Sequence, residues 1–329
     1  MQPVRLDAMA TRVRVGISSW ADAALIEDGS FYPKKSMSAE ARLRYYARFF
    51  DTVEVNSAYY AIPDVRNTQH WVQRTPPDFI FHVKAYSLLT GHHPRAESLP
   101  ADVKALLPAH PARTQRGEID RTSIPPEAVD ATLALFHASL RPLIEAGKLG
   151  YVLFQFAPWV HYGEPWLAYI ASLPEKLRGL TLAIEFRHRS WFPEHASETL
   201  GALRTAGLAH VIVDGPVAGG SIPRVPAVTA PMAIMRLHGR NAEGWARQLR
   251  GEGPAVREKY DYLYTEAELA ELKPEIDELT VEAEQICISF NNNNRAYPVQ
   301  NALMLRRMLG ERVEMPPAPA RGRTGDLFD

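Results

Sequence analysis

Eight short apolar segments, spaced along almost the whole chain, constrain this sequence more than any other feature. They are Val13–Ser18, Thr52–Asn56, Phe79–Ala85, Tyr151–Phe156, Thr181–Phe186, Ala209–Asp214, Met232–His238 and Gln285–Phe290. Each is short and rich in Val, Ile, Leu or Phe, the pattern of parallel strands buried on both faces. Helical patterns lie between them. Ser38 can cap a helix whose apolar face is Leu43, Tyr46, Ala47 and Phe50. Val129, Leu133, Phe136, Leu140 and Leu143 step by four, three, four and three, between Pro125–Pro126 and Gly147. Leu200, Leu203 and Ala206 precede Gly207, and Ala302, Leu305 and Leu309 precede Gly310, two helix ends. Helices after strands five and six are less distinct, and Pro216–Pro231 predicts an irregular connection.

Strands alternating with helices predict an α/β fold, a single-domain (β/α)8 TIM barrel. The expected boundaries are an N-terminal extension over 1–12, the barrel over 13–315 and a disordered tail over 316–329. Two long insertions, Ser87–Arg121 after strand three and Gly239–Tyr264 after strand seven, fall on β-to-α connections. Those connections form the catalytic face of such a barrel.

Composition narrows the function classes. The 329 residues carry 37 Lys and Arg against 38 Asp and Glu, a formal charge of −1, which excludes a generally basic nucleic-acid binder but not a local basic face. Cys287 is the single cysteine, so neither an internal disulfide nor a multi-cysteine metal site is expected; on strand eight it reads as a buried, inert thiol. No apolar stretch approaches a membrane span, and Met1–Arg12 lacks the apolar core of a secretory signal. A cytoplasmic protein is expected. No phosphate-binding loop, G-x-S-x-G elbow or H-E-x-x-H motif occurs, which disfavours nucleotide hydrolysis and hydride transfer by familiar folds.

Strand parity locates a polar site. Glu54 shares parity with Asn56, Lys84 with His82, Gln155 with Leu153, Glu185 with Ala183 and Arg187, Asp214 with Ile212, and Arg236 with Ile234 and His238. The opposite parity is apolar and must face the helices. The mixed parity is therefore assigned to the interior, with its polar members converging at the C-terminal mouth. Unpaired charges there would cost several kcal/mol each, so they must pair or meet a ligand. His82 sits deeper and reads as a packed core histidine.

Several segments then read together: GISSW at Gly16–Trp20, FYP at Phe31–Pro33, YYARFFDTVEVNSAYY at Tyr45–Tyr60 and WVQRTPPDFIFHVKA at Trp71–Ala85. LFQF at Leu153–Phe156, IEFRHRSW at Ile184–Trp191, RLHGR at Arg236–Arg240 and FNNNNRAYPVQNA at Phe290–Ala302 complete the series. It resembles the YecE-like family, domain of unknown function family 72, from about Val13 to Leu309. The resemblance implies a TIM barrel and leaves the reaction open. It maps motif positions onto Trp20, Glu54, Asn56, Tyr60, Lys84, Gln155, Glu185, Arg187, Trp191, Arg236, His238, Asn291 and Asn292.

The leading expectation is an enzyme acting on an anionic, phosphate-bearing sugar or nucleotide-like ligand. Glu54 and Glu185 are the acid–base candidates, Lys84, Arg187 and Arg236 the anion clamp, and His238 an aid to proton transfer. Trp20, Asn56, Tyr60, Gln155, Trp191, Asp214, Asn291 and Asn292 are expected to contact the ligand. Tyr59, Trp159 and Tyr297 add aromatic surface for a sugar or base. A divalent metal is expected, if at all, as magnesium arriving with phosphate rather than as zinc, since His238 is the one histidine at a late strand position. The rival is a nucleic-acid binder with endonuclease IV-like repair activity, drawing on Arg236, Arg240, Arg247, Arg250 and Arg257. A third reading is a non-catalytic binding barrel. The tail residues Thr324–Phe328 (TGDLF) are similar to peptides that dock on the replication sliding clamp.

Overall fold

The computed structural model describes residues 11–216, 222–249 and 258–317. The tail peptide Thr324–Phe328 lies outside them. Eight strands form one parallel sheet: β1 (Arg12–Ile17), β2 (Thr52–Val55), β3 (Ile80–Lys84), β4 (Leu149–Gln155), β5 (Thr181–Glu185), β6 (Ala209–Asp214), β7 (Met232–Leu237) and β8 (Gln285–Phe290). Their order is β1-β8-β7-β6-β5-β4-β3-β2. A parallel bridge from Ser18 to Glu54 brings the first strand to the second and closes the barrel. Each strand lies within two residues of its predicted bounds, because a short apolar run has room for little else between two polar connections.

The helices form where caps and spacing direct them. Ser38 Oγ accepts from the Ala41 N–H at 3.1 Å and opens the helix Ala39–Tyr46. Helix Pro126–Glu145 buries Val129, Leu133, Phe136, Leu140 and Leu143. Helix Ala196–Ala206 after β5 is well formed and stops at Gly207, whose φ of +65° suits glycine. The connection between β6 and β7 holds no helix among its described residues. Among the described residues, no helix is long and apolar enough to cross a membrane.

Two apolar layers fix the side chains. Val53, Val55, Phe81, Val83, Phe154, Ile184, Met235 and Leu237 pack outward under the helices. Tyr151, Leu153, Ala183, Val211, Val213, Ile234 and Cys287 fill the interior. The parity assignment holds on β2, β3, β4, β5 and β7 and is reversed on β6. There Val211 and Val213 face inward, while Ile212 joins the outer layer. All six residues of β6 are buried, so its pattern carries no alternation, and a terminal aspartate is a poor guide to its facing.

His82 packs in the core. Its ring stacks on Tyr151 at 3.9 Å, and its Nδ1 accepts from the Tyr151 N–H at 3.2 Å. Burial pulls its pKa down to about 3, so it stays neutral. Gly150 makes room for it: a Cβ there would stand 2.3 Å from the His82 ring and 2.7 Å from Ile80 Cγ2. Gly150→Ala is expected to lose about 1–3 kcal/mol of stability through overpacking. Chemical denaturation measures it, and an unchanged midpoint would contradict this packing.

Candidate functional site at the barrel mouth

Arg236, near the end of β7, is fully buried at the centre of the mouth. Its Nε and Nη2 donate to the Glu54 carboxylate at 2.9 and 2.6 Å. Its Nη1 donates to Gln155 Oε1 at 3.2 Å and to Glu185 Oε2. Glu54 also accepts from Ser18 Oγ at 3.0 Å and the Tyr151 hydroxyl at 3.3 Å. Both of its oxygens are therefore engaged.

Glu185 is less complete. Its Oε1 lies 2.5 Å from Arg187 Nε and 3.4 Å from His238 Nε2, yet neither approach has hydrogen-bond alignment. Burial would raise its pKa, but Arg187, Arg236 and His238 outweigh that and hold the carboxyl well below its usual range. Burial likewise opposes the Arg236 charge, and Glu185 and Glu54 overcome it.

His238 follows β7 and is fully buried. Asn291 Oδ1 accepts from Asn293 at 3.2 Å and from Asn56 at 3.5 Å. Its amide nitrogen is then the donor to His238 Nδ1, at 2.8 Å. That pattern leaves the imidazole proton on Nε2. Burial, and next the charge of Arg187, pull the His238 pKa down to about 3, so the ring is neutral at physiological pH.

Lys84 ends β3, half-buried, with Nζ 4.4 Å from the centroid of the Tyr59 ring. Among the described residues it makes no ion pair. Burial first, then Arg236 and Arg187, lower its pKa to about 7.

A cavity of about 300 Å³ opens above this cluster. Tyr59, Trp159, Trp245 and Tyr260 give it aromatic walls, Arg187 and Lys259 its cations, and His92, Gln155 and His238 its neutral polar groups. Both insertions contribute: His92 follows β3, while Trp245, Lys259 and Tyr260 follow β7. Burial, with Lys84 and Arg187, takes His92 down to about 3. The Lys259 ammonium lies 4.7 Å from the Trp245 ring centroid and 4.8 Å from that of Tyr260. Burial favours the neutral Tyr260 phenol, but Lys259, Arg187 and Arg236 bring its pKa below the usual tyrosine value. Among the described residues, no group of three or more His, Cys, Asp or Glu is placed to hold a metal ion.

The profile of a family described as "Protein of unknown function DUF72" matches residues 14–323. This chain belongs to the DUF72 family. It is 32% identical to the UPF0759 protein YunF of Bacillus subtilis (strain 168) over 301 residues, 90% of this chain and 94% of that one. A DUF72 family structure from Enterococcus faecalis V583 is 26% identical and superposes with a TM-score of 0.73, over 92% of this chain and 97% of the other. One from Thermotoga maritima MSB8 is 30% identical with a TM-score of 0.67, over 91% and 100%.

Within this DUF72 barrel the mouth gathers Glu54, Asn56, Lys84, Gln155, Glu185, Arg187, Arg236, His238 and Asn291. Five other expected site residues lie elsewhere. Asp214, on the reversed strand, accepts from Arg240 at 3.0 and 2.9 Å, the Tyr264 hydroxyl at 2.9 Å and Arg224 at 3.4 Å. Asn292 donates to Tyr262 O at 2.7 Å and to Asn301 at 2.9 Å, as a strut for the loop after β7. Trp191 stacks on Phe186 at 4.1 Å, and its Nε1 donates to Val160 O at 2.9 Å. Trp20 packs edge-on against Trp71 and Phe81. Tyr60 is 71% exposed and reaches the cavity wall only through its edge contact with Tyr59.

Sequence reasoning missed Trp245, Lys259 and Tyr260. Trp245 stands on the short helix Ala242–Leu249, and Lys259 and Tyr260 in the 3-10 turn Glu258–Tyr260, inside an insertion that offers no strand parity. Their one signal is an aromatic-rich insertion on the catalytic face. Of the described edge arginines, Arg236 is buried, Arg240 holds Asp214, and the exposed Arg247 lies 2.5 Å from Glu243. Arg250 and Arg257 lie outside the described residues.

Proposed function

We propose that this DUF72 protein binds a small anionic ligand, bearing phosphate or carboxylate, in the cavity at the barrel mouth and acts on it as an enzyme. The observation that carries this reading is a charge imbalance. Four cations, Lys84, Arg187, Arg236 and Lys259, surround the mouth, against the two carboxylates of Glu54 and Glu185. Arg236 takes both oxygens of Glu54 and one of Glu185, and Arg187 lies 2.5 Å from the other. The cations left over sit in a partly desolvated site, where an incoming anion relieves a cost of several kcal/mol. The aromatic walls suit a sugar ring or a planar group. Glu54 acts in this reading as the anchor of Arg236. Glu185 is a positioning residue that orients Arg187 and His238, because both carboxylates lie beneath the cavity and neither lines it.

A calorimetric titration with inorganic phosphate tests this. Arg187→Ala is expected to weaken binding about tenfold or more, the worth of one charge-assisted contact. Equal affinity in wild type and variant would contradict it.

A further inference from the structure

Resting on that anion-binding reading, we propose that the cavity takes a planar aromatic ring joined to a phosphate, as in a nucleoside monophosphate. The ring stacks on Trp159, and the phosphate meets Arg187 and Lys259.

The cavity has two unlike walls. One is built by the connections after β2, β3 and β4. There Tyr59 meets His92 edge-on at 5.0 Å, and His92 meets Trp159 edge-on at 5.6 Å. The other wall follows β7, which stands four places from β3 in the closed order of eight strands, on the far side of the barrel. There Lys259 lies 4.7 Å from the Trp245 ring centroid, and the Arg187 guanidinium lies 5.9 Å from it. Both lysine and arginine side chains that line the cavity therefore stand by this second wall. A ligand that contacts both walls presents a ring at one end and an anion at the other.

Trp159 is placed to stack. It lines the cavity and is 51% exposed, whereas Trp20 and Trp191 are buried in the core. Its Nε1 donates to Gly91 O at 3.0 Å, and His93 stacks against its ring at 5.3 Å. The indole is thus held from one side with its remaining surface open, so little ordering is left for a ligand to impose. A bare sugar fits this wall less well. Each hydroxyl it buries needs a partner. The Trp159 Nε1–H is already given to Gly91, and His92 Nδ1 is engaged with Thr90 Oγ1 at 2.9 Å. A planar ring asks for surface instead. The volume of about 300 Å³ is at the low end for small-ligand sites, which suits a single nucleotide rather than a longer chain.

Calorimetric titrations of wild type, Trp159→Ala and Trp159→Phe with inorganic phosphate, ribose 5-phosphate, phenyl phosphate and AMP test the assignment. In the wild type, AMP and phenyl phosphate are expected to bind about tenfold or more tighter than inorganic phosphate, the worth of one stacked ring. Ribose 5-phosphate is expected to lack that gain. Trp159→Ala is expected to remove the gain, and Trp159→Phe, which keeps a ring, to retain most of it. Reading each probe against phosphate in the same variant separates loss of stacking from loss of the fold. A gain for ribose 5-phosphate equal to that of AMP, or a gain that survives Trp159→Ala, would overturn the stacked ring and leave anion binding standing. A gain for phenyl phosphate without one for AMP would overturn the nucleotide. Failure of every probe to bind would overturn both the stacked ring and the anion site.

Discussion

Arg236→Met is expected to destabilise the barrel by about 3–5 kcal/mol at neutral pH, the usual consequence of removing one member of a buried ion cluster. Arg236, Glu54 and Glu185 are all buried, and the guanidinium is bonded to both carboxylates. Without it, two carboxylates face each other in a low-dielectric core, and only Glu185 retains a nearby arginine. Methionine fills much of the volume, so the loss is electrostatic rather than a cavity. The sign of the pH dependence follows. In the wild type the Glu185 carboxyl is held well below its ordinary value of 4.5. A depressed carboxyl contributes its full stabilisation above the unfolded value and loses it as pH falls through the folded one. The variant loses the Arg236 share of that contribution and keeps the larger share of Arg187, so the gap between the proteins narrows in part as pH drops below about 4.5. Adding Glu54→Gln to Arg236→Met is expected to restore part of the loss by discharging the stranded oxygen pair. Urea denaturation at pH 7 and pH 4 measures both effects. A midpoint within error of wild type at pH 7 would contradict the cluster.

How far the sequence discloses this molecule depends on where periodicity exists. All eight strands are legible because each is a short apolar run between turn-forming polar stretches. The interior polar cluster is legible on five strands because a charged residue alternates there with Val, Phe or Ile. On β6 that contrast vanishes, and Asp214 is misplaced for that reason alone. Trp191 and Trp20 show the limit of motif resemblance: their motifs fit the family, yet their rings pack in the core. The reverse holds for Tyr260, Lys259 and Trp245. They line the cavity, but they stand on one short helix and one 3-10 turn within an insertion, where no strand parity exists to read. Helix Glu266–Glu282 escapes sequence reading too. Its buried Leu269, Leu272, Ile276 and Leu279 are diluted by glutamates, although Thr265 and Glu268 form a capping box at its start.

Anion affinity is expected to fall about tenfold or more between pH 6 and pH 8.5, through loss of the Lys84 proton. Burial, Arg236 and Arg187 lower that amine from its ordinary 10.5 to about 7. A bound anion favours the ammonium, so binding is strongest below that value and weakens above it. His92 and His238, both near 3, stay neutral across this window and add no slope. Sulfate is the proper probe because its own charge is constant over the range. Lys84→Met removes this group, and its affinity is expected to be weak with a shallower pH slope, the rest coming from Lys259, whose pKa burial also lowers.

The most direct test of the barrel mouth as an anion site is therefore a calorimetric sulfate titration of wild type and Lys84→Met at pH 6 and pH 8.5. Tighter wild-type binding at pH 6, lost at pH 8.5 and much reduced in the variant, is the predicted result. Equal wild-type affinity at both pH values, or no binding at either, would contradict it.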